Sequence, residues 1–172
     1  MKILVIDDNP FNLEAAKKQL TEAGHEVTAI DNFEEAANIL GGGDPLYGHH
    51  VEKFEAVLSD LLMCPEEKWG QLGSEFTAQM PFGLVLVLLA ALNGAKYAAV
   101  ATDTNHHKHP MSHAIDGLGC MYWPQDMYFK ESQEAVKPKF KINGTVVGIW
   151  HAPLEKGYKN WGKILAALLA VH

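Results

Sequence analysis

Predicted strands and helices alternate along this chain, and this alternation limits its possible folds more than any other feature. A short apolar run at residues 2–6 is followed by Asn9 and Pro10, which are typical of the start of a helix. Further strands are predicted at 25–31, 54–59 and 97–102, with helices at 33–40 and 81–93 between them. Such an order favours a parallel sheet covered by helices on both faces. We therefore predict a doubly wound α/β fold of about five strands.

The second half of the chain is less regular. A short helix is predicted from Pro110 to Gly117, and the Asn143-Gly144 pair between two β-prone runs predicts a hairpin. Residues 119–144 are expected to be an insertion before the last strand, so that residues 1–172 form a single domain. Asn160 is expected to cap a final helix.

The most apolar segment of the chain is the run "FGLVLVLLAAL" at residues 82–92. It is about half the length of roughly 20 residues that a bilayer span requires. We therefore expect a buried helix and no membrane span, with five of its side chains in the core: Leu84, Val85, Leu88, Leu89 and Leu92.

Composition excludes some functions. The chain has 21 acidic and 14 basic residues and a formal charge of −7, and all of its basic residues are lysine. Without arginine the chain lacks the planar guanidinium group, which forms two parallel hydrogen bonds with guanine edges and phosphates. Nucleic-acid binding is therefore not expected. Cys64 and Cys120 form no CxxC pair, and the sequence start "MKILVIDD" lacks the layout of a signal peptide, so we predict a cytoplasmic protein.

Acidic residues follow several of the predicted strands. Asp7 and Asp8 follow the first strand, Asp60 follows the third, and Asp103 follows Thr102 at the end of the fourth. The carboxyl ends of parallel strands share one sheet edge, which is where ligands bind in such folds. Crowded carboxylates repel one another unless a cation lies among them, so we expect Mg²⁺ at this edge. The alternative is that each aspartate only caps the helix after it.

Residues 1–40 resemble the opening of a response-regulator receiver domain. The resemblance rests on the acidic pair after strand one, the "NP" helix start and the "AGHEV" second strand, and it continues through "FEAVLSDLLM". It covers about half of the chain. It implies a flavodoxin-like fold and a stand-alone phosphorelay signalling domain rather than a turnover enzyme. The implied partner of this domain is a histidine kinase or a phosphotransfer protein.

The resemblance also implies roles for individual residues. Asp60 would be the phosphoacceptor and a metal ligand, Asp8 a direct Mg²⁺ ligand, and Asp7 a second acid that holds the ion partly through water. The main-chain carbonyl of Leu62 would complete the coordination. The hydroxyl group of Thr102 would meet the phosphoryl group.

The sequence departs from the family around strand five, where the family has a lysine followed by proline. Either Lys137 and Pro138 supply this pair, or strand five is the run at 145–150, which ends in His151-Ala152-Pro153 without a lysine. We favour the second assignment because "GTVVGIW" is the better strand. The loop after the third predicted strand also departs from the family, because Pro65 follows Asp60 by five positions, whereas the family usually has a proline four positions after the phosphoacceptor.

The segment "TDTNHHKHPMSH" is rich in histidine, with His106, His107, His109 and His113. His109 and His113 have the spacing of two zinc ligands on one helix, but the glutamate of an HExxH motif is absent. The segment is interpreted as a hydrogen-bonded loop, and the alternative is a transition-metal or pH-sensing site. A divergent receiver fold used for metal binding or protein interaction, without phosphotransfer, is the alternative function.

Overall fold

The computed structural model describes residues 1–42, 51–64, 79–104, 109–115, 139–152 and 154–170. Within these residues the strands and helices follow in the order β1 (Lys2–Ile6), α1 (Pro10–Glu22), β2 (Glu26–Ile30), α2 (Phe33–Ile39), β3 (Ala56–Ser59), α3 (Phe82–Leu92), β4 (Tyr97–Thr102), α4 (Pro110–Ala114), β5 (Lys139–Ile142), β6 (Thr145–His151) and α5 (Trp161–Leu169).

The strands form one six-stranded sheet in the order β2-β1-β3-β4-β6-β5. The first five of these are parallel to one another, and β5 is antiparallel to β6 at the edge. The parallel part has the flavodoxin-like order, in which the winding direction reverses between β1 and β3. The predicted fold class is therefore confirmed, and the point where the winding reverses, at which such folds usually bind ligands, lies at the carboxyl ends of β1 and β3.

Helices cover both faces of the sheet. On one face α1 and α5 bury apolar side chains that include Leu20, Trp161 and Ile164, and Trp150 of β6 packs among them. On the other face α2 and α3 contribute Ala36 and Leu86 to a second core. The alternating side chains of each parallel strand supply both cores, as expected for strands that are buried on both faces.

One side of α3 is exposed, so the prediction that Val85, Leu88 and Leu92 lie in the core is wrong. Val85, Leu88 and Leu92 are 44%, 49% and 74% exposed, whereas Leu84 and Leu89 are partly buried against the core. The helix packs on β3 and β4 with the face that carries Leu86 and Ala90, and Val85, Leu88 and Leu92 lie on the opposite side. An all-apolar helix has no periodicity that could distinguish these sides.

The hairpin predicted at Asn143-Gly144 is confirmed. Both residues have positive φ angles, 49° and 86°, as a two-residue type I′ turn requires. The strands on either side are β5 and β6. The proposed insertion lies mostly in residues 116–138, outside the described residues, so its structure stays a prediction. Within the described ranges, no helix is both long and apolar enough to cross a membrane.

Candidate functional site

The structure brings the acidic residues predicted at the strand ends together. Asp7 and Asp8 follow β1, Asp60 follows β3, and β1 and β3 are hydrogen-bonded neighbours. One carboxylate oxygen from each of the three lies within 4.8 Å of the others. Asp7 and Asp60 are buried, and Asp8 is partly exposed. These three side chains, called the acidic pocket below, form a close group in which Asp8 is the most accessible member.

The carboxylate of Asp7 is held by the start of α1. Its Oδ1 atom accepts hydrogen bonds from the main-chain N–H of Asn9 at 2.9 Å and from Asn12 Nδ2 at 3.1 Å. Its Oδ2 atom accepts from the same Asn12 nitrogen at 3.0 Å. Asn9 also caps α1 by accepting from Phe11 N–H, and Pro10 begins the helix. The predicted helix start therefore also orients an acid of the pocket.

Asp60 is positioned by its main chain. Its N–H donates to Ile6 O at 2.8 Å, which extends the pairing of β3 with β1, and its Oδ1 atom accepts from Leu61 N–H at 2.8 Å. The chain after it is held by paired hydrogen bonds between Met63 and Met80. Leu62, the expected carbonyl ligand, lies buried between these fixed points.

Gly83 in the first turn of α3 lets the helix approach Asp60 closely. A Cβ atom at this position would lie 1.9 Å from the carbonyl oxygen of Asp60. The N–H of Gly83 donates to Leu61 O at 3.1 Å. Any side chain here would push the start of α3 away from the end of β3.

Asp8 is bound to the loop after β3. Its Oδ2 atom accepts a hydrogen bond from the main-chain N–H of Cys64 at 2.9 Å. Burial, followed by the nearby Asp8 carboxylate, raises the pKa of the Cys64 thiol. This loop therefore contacts the pocket through a neutral thiol and a main-chain donor.

A buried lysine, Lys159, completes the pocket. Its Nζ atom lies 2.7 Å from Asp7 Oδ2, 2.7 Å from Asp60 Oδ1 and 3.9 Å from Asp103 Oδ1. The strand assignment that we favoured, with β6 as the fifth parallel strand, is confirmed. The sequence left open whether a lysine lies at this end of the sheet; Lys159, in the loop before α5, lies there. Lys137 lies outside the described residues.

A tight turn brings Lys159 to this position. Glu155 and Tyr158 form a pair of main-chain hydrogen bonds, and between them Lys156 and Gly157 have φ angles of 56° and 92°. A lysine with positive φ is uncommon, so "EKGY" is a weaker turn signal than an Asn-Gly pair. The chain then passes through Lys159 to Asn160, which caps α5 as predicted.

Burial and charge shift two ionisation equilibria in the pocket. Burial raises the pKa of Asp60 to about 7; the ammonium group of Lys159 opposes this rise, and the carboxylates of Asp7 and Asp103 add to it. Burial would lower the pKa of Lys159, but Asp60, Asp7 and Asp103 together raise it to about 12. Lys159 is therefore a fixed cation, and one cation does not neutralise the surrounding acids.

The donor set suits a hard divalent cation. Asp7, Asp8 and Asp60 offer only oxygen atoms, which Mg²⁺ and Ca²⁺ prefer. Their negative charge exceeds that of the Lys159 ammonium group, so a bound cation would relieve the remaining repulsion. The residues present therefore fit the metal that the sequence led us to expect.

Thr102 lies at the end of β4, beside β3, and is fully buried. Its Oγ1 atom accepts a hydrogen bond from Thr104 N–H at 3.1 Å. His151, at the end of β6, is the register partner of Thr102 and is also buried. The predicted contact of Thr102 with a phosphoryl group is not tested by this arrangement and stays a prediction.

The histidine-rich segment is only partly described. His106 and His107 lie outside the described residues. His109 caps α4, with its Nδ1 atom accepting from Met111 N–H at 3.2 Å, and His113 lies exposed in that helix. Among the described residues, the acidic trio alone forms a group of three or more close metal-ligand side chains. His109 and His113 are not brought to that trio.

Known structures share this fold. The chain is similar to a response regulator receiver protein from Sinorhizobium medicae WSM419, with a TM-score of 0.54 and 15% identity over 98% of this chain and 90% of that chain. It is also similar to a response regulator protein from Burkholderia pseudomallei, solved with a phosphorylated aspartic acid, a calcium ion and citrate. That comparison gives a TM-score of 0.52 and 20% identity, over 98% of this chain and 66% of that chain.

No family model and no curated protein matches the sequence. The structural comparisons show a receiver-like fold, at sequence identities of only 15% and 20%.

The sequence patterns did not identify two residues of the pocket, Asn12 and Lys159. Asn12 lies one turn before Ala16 on the buried face of α1, and a polar residue on such a face signals a specific partner. Lys159 directly precedes the cap of the last helix, and such loops lie at the ligand-binding edge in parallel α/β folds. Both signals were available, but neither named the partner.

Proposed function

We propose that this protein is a receiver-like signalling domain in which Asp60 accepts a phosphoryl group. The observation that carries the proposal is the convergence of Asp7, Asp8 and Asp60 around the buried ammonium group of Lys159. The similar Burkholderia pseudomallei protein, which contains a phosphorylated aspartic acid and a calcium ion, supports it.

The chemistry follows from the geometry of Asp60. Among the described residues, hydrogen bonds reach only its Oδ1 atom, so Oδ2 is the oxygen that attacks. A bond forms between this oxygen and phosphorus, the bond from phosphorus to the donor breaks, and its electron pair leaves with the donor. Lys159 lies beside the acceptor and offsets negative charge that gathers on the phosphoryl oxygens.

We propose that Asp7, Asp8, Asp60 and the carbonyl of Leu62 hold Mg²⁺. The ion would supply positive charge next to the phosphoryl oxygens when bound. Asp8 is the most accessible of the acids, and Asp7 is held in place by α1. Thr102 is proposed to meet the phosphoryl group from β4.

The phosphoryl donor, the cellular location and the domain organisation are proposed from the same receiver-like fold and acidic site. A histidine kinase or a phosphotransfer protein is the expected donor, since a phosphorylated imidazole delivers its phosphoryl group readily to a carboxylate. We propose a cytoplasmic location and one domain over residues 1–172 with an insertion at about 119–144.

Transition-metal binding by the histidine-rich segment has less support, because His109 Nδ1 already accepts a hydrogen bond from Met111.

Mass spectrometry of the intact protein tests the proposal. The protein is incubated with Mg²⁺ and a small acyl phosphate, alongside Asp60→Asn and the control Asp31→Asn, which changes an exposed aspartate after β2. We expect the mass of one phosphoryl group on the wild type and on Asp31→Asn. An adduct of equal yield on Asp60→Asn would overturn the assignment.

A further inference from the structure

We propose that Asn12 is a positioning residue that holds the carboxylate of Asp7 and the main chain of Lys159 at the same time. In this way it sets where the Lys159 ammonium group lies in the pocket. The functional consequence rests on the proposed function, because it concerns the same site. The basis is a set of hydrogen bonds between α1 and the segment that leads into α5.

The side chain of Asn12 is buried and bonded at both ends. Its Nδ2 atom donates to both oxygens of Asp7, at 3.1 and 3.0 Å, and its Oδ1 atom accepts from Lys159 N–H at 3.0 Å. Its main-chain carbonyl accepts from Trp161 Nε1 at 3.0 Å. A short amide offers a donor and an acceptor together, whereas a carboxylate offers only acceptors and an alkyl group neither.

Gln19 lies two turns further along α1 and binds the same segment. Its Nε2 atom donates to Lys159 O at 3.3 Å, and its Oε1 atom accepts from Gly162 N–H at 3.1 Å. The N–H and the carbonyl of Lys159 are therefore both bound by side chains of α1. Lys159 follows the end of β6 at His151 by eight residues, so the register of the sheet alone does not fix its position.

Asn12 thus connects the two partners of a buried ion pair. Lys159 Nζ lies 2.7 Å from both Asp7 Oδ2 and Asp60 Oδ1. Without the amide, Asp7 can rotate and the main chain at Lys159 loses its partner, so the ammonium group leaves its place between the two carboxylates. We expect phosphoryl uptake to slow by about 10- to 100-fold, as for other residues that orient the groups of a site.

The ammonium group can be observed directly by NMR. In the wild type, Lys159 is expected to give a ¹⁵N ammonium signal because burial protects its protons from exchange with water, and Lys159→Met assigns that signal by its loss. We expect Asn12→Ala to abolish or shift the signal. The control Asn38→Ala, at an exposed asparagine of α2, leaves it unchanged.

Gln19→Ala is the second variant, for use if Asn12→Ala does not fold, because it removes contacts to Lys159 without touching Asp7. It should shift the Lys159 signal. A signal absent from the wild type, or unchanged in the folded variant, would overturn the positioning role.

Phosphoryl uptake is measured on the same samples to separate the two proposals. No uptake by the wild type would refute the proposed function, and the NMR result would still decide the role of Asn12. If Asn12→Ala loses the signal but takes up the phosphoryl group at the wild-type rate, the expected functional effect of the Lys159 position is refuted, whereas the proposed function stands.

Discussion

The Nζ atom of Lys159 lies 2.7 Å from Oδ1 of Asp60, and both groups are buried. The lysine comes from the loop before α5, and the aspartate directly follows the strand β3. This ion pair connects the two halves of the fold at the acidic pocket. It is also the contact that the sequence did not reveal.

Replacing Lys159 should destabilise the fold. Lys159→Met leaves the buried carboxylates of Asp7 and Asp60 without their cation, and losing one partner of a buried pair costs about 3–5 kcal/mol. Urea unfolding at neutral pH measures the loss, and added Mg²⁺ should restore part of it. Lys163→Met is the matched control, because its ion pair with Glu155 lies near the surface and such pairs contribute about 0–1 kcal/mol. Equal effects of the two variants would contradict the burial of Lys159.

Neutralising Asp60 should stabilise the metal-free protein at higher pH. The pKa of this carboxyl group is raised to about 7 by burial in the folded state, so its contribution to stability is present at acidic pH and declines as the pH rises through about 7. Asp60→Asn lacks this decline, so above pH 7 its free energy of unfolding should exceed that of the wild type by about 2–4 kcal/mol.

Unfolding measured from pH 4 to 8 in chelator tests this difference. The difference in the free energy of unfolding between the wild type and Asp60→Asn should become small towards pH 4. The control Asp31→Asn should have the wild-type pH dependence throughout. A wild type that gains stability relative to Asp60→Asn as the pH rises would show that the pKa shift has the opposite sign.

Gly83→Ala should disturb the pocket through the main chain. The new methyl group would lie 1.9 Å from Asp60 O, so α3 must move away from β3, and overpacking of this kind costs about 1–3 kcal/mol. Gly162→Ala is a close control, since it also changes the second residue of a helix and its Cβ meets only ordinary contacts at 3.6 Å or more.

The two glycine variants are compared by thermal unfolding and by Mg²⁺ titration. Gly162→Ala should be neutral or more stable, because alanine favours helix by about 1 kcal/mol over glycine. Gly83→Ala should lower both stability and Mg²⁺ affinity. Wild-type Mg²⁺ affinity in Gly83→Ala would show that this close approach does not position Asp60.

The exposed side of α3 should tolerate polar substitution. Leu88→Gln changes a side chain that is 49% exposed, and such surface changes usually stay within about ±0.5 kcal/mol. Leu86→Ala, on the buried side of the same helix, should cost about 2–5 kcal/mol. Similar losses in chemical denaturation for both variants would mean that the helix is buried on both sides.

The parallel core and the acidic trio could be predicted because their signals are local. Short apolar strands bounded by a helix cap or an acid define the β/α order, and the parallel order then brings Asp7, Asp8 and Asp60 to one edge. The exposed side of α3 could not be predicted, since Val85 and Leu86 are equally apolar and only tertiary packing separates them.

Lys159 and Asn12 could not be paired from the sequence for a related reason. The contact joins residues 147 positions apart and depends on a turn at Lys156-Gly157 that the residue types signal weakly. Side chains of α1 then determine where that loop lies. Such contacts become visible only after the fold is known.

Locating the phosphoryl group tests whether Asp60 is the phosphoacceptor. The protein is treated with Mg²⁺ and an acyl phosphate, and the product is reduced with borohydride, which converts an aspartyl phosphate into homoserine. Peptide sequencing by tandem mass spectrometry then identifies the changed residue. We predict homoserine at position 60 and unchanged aspartate at positions 7, 8 and 103. Homoserine at another position, or a stable adduct on a histidine or hydroxyl side chain with Asp60 unmodified, would show that Asp60 is not the phosphoacceptor.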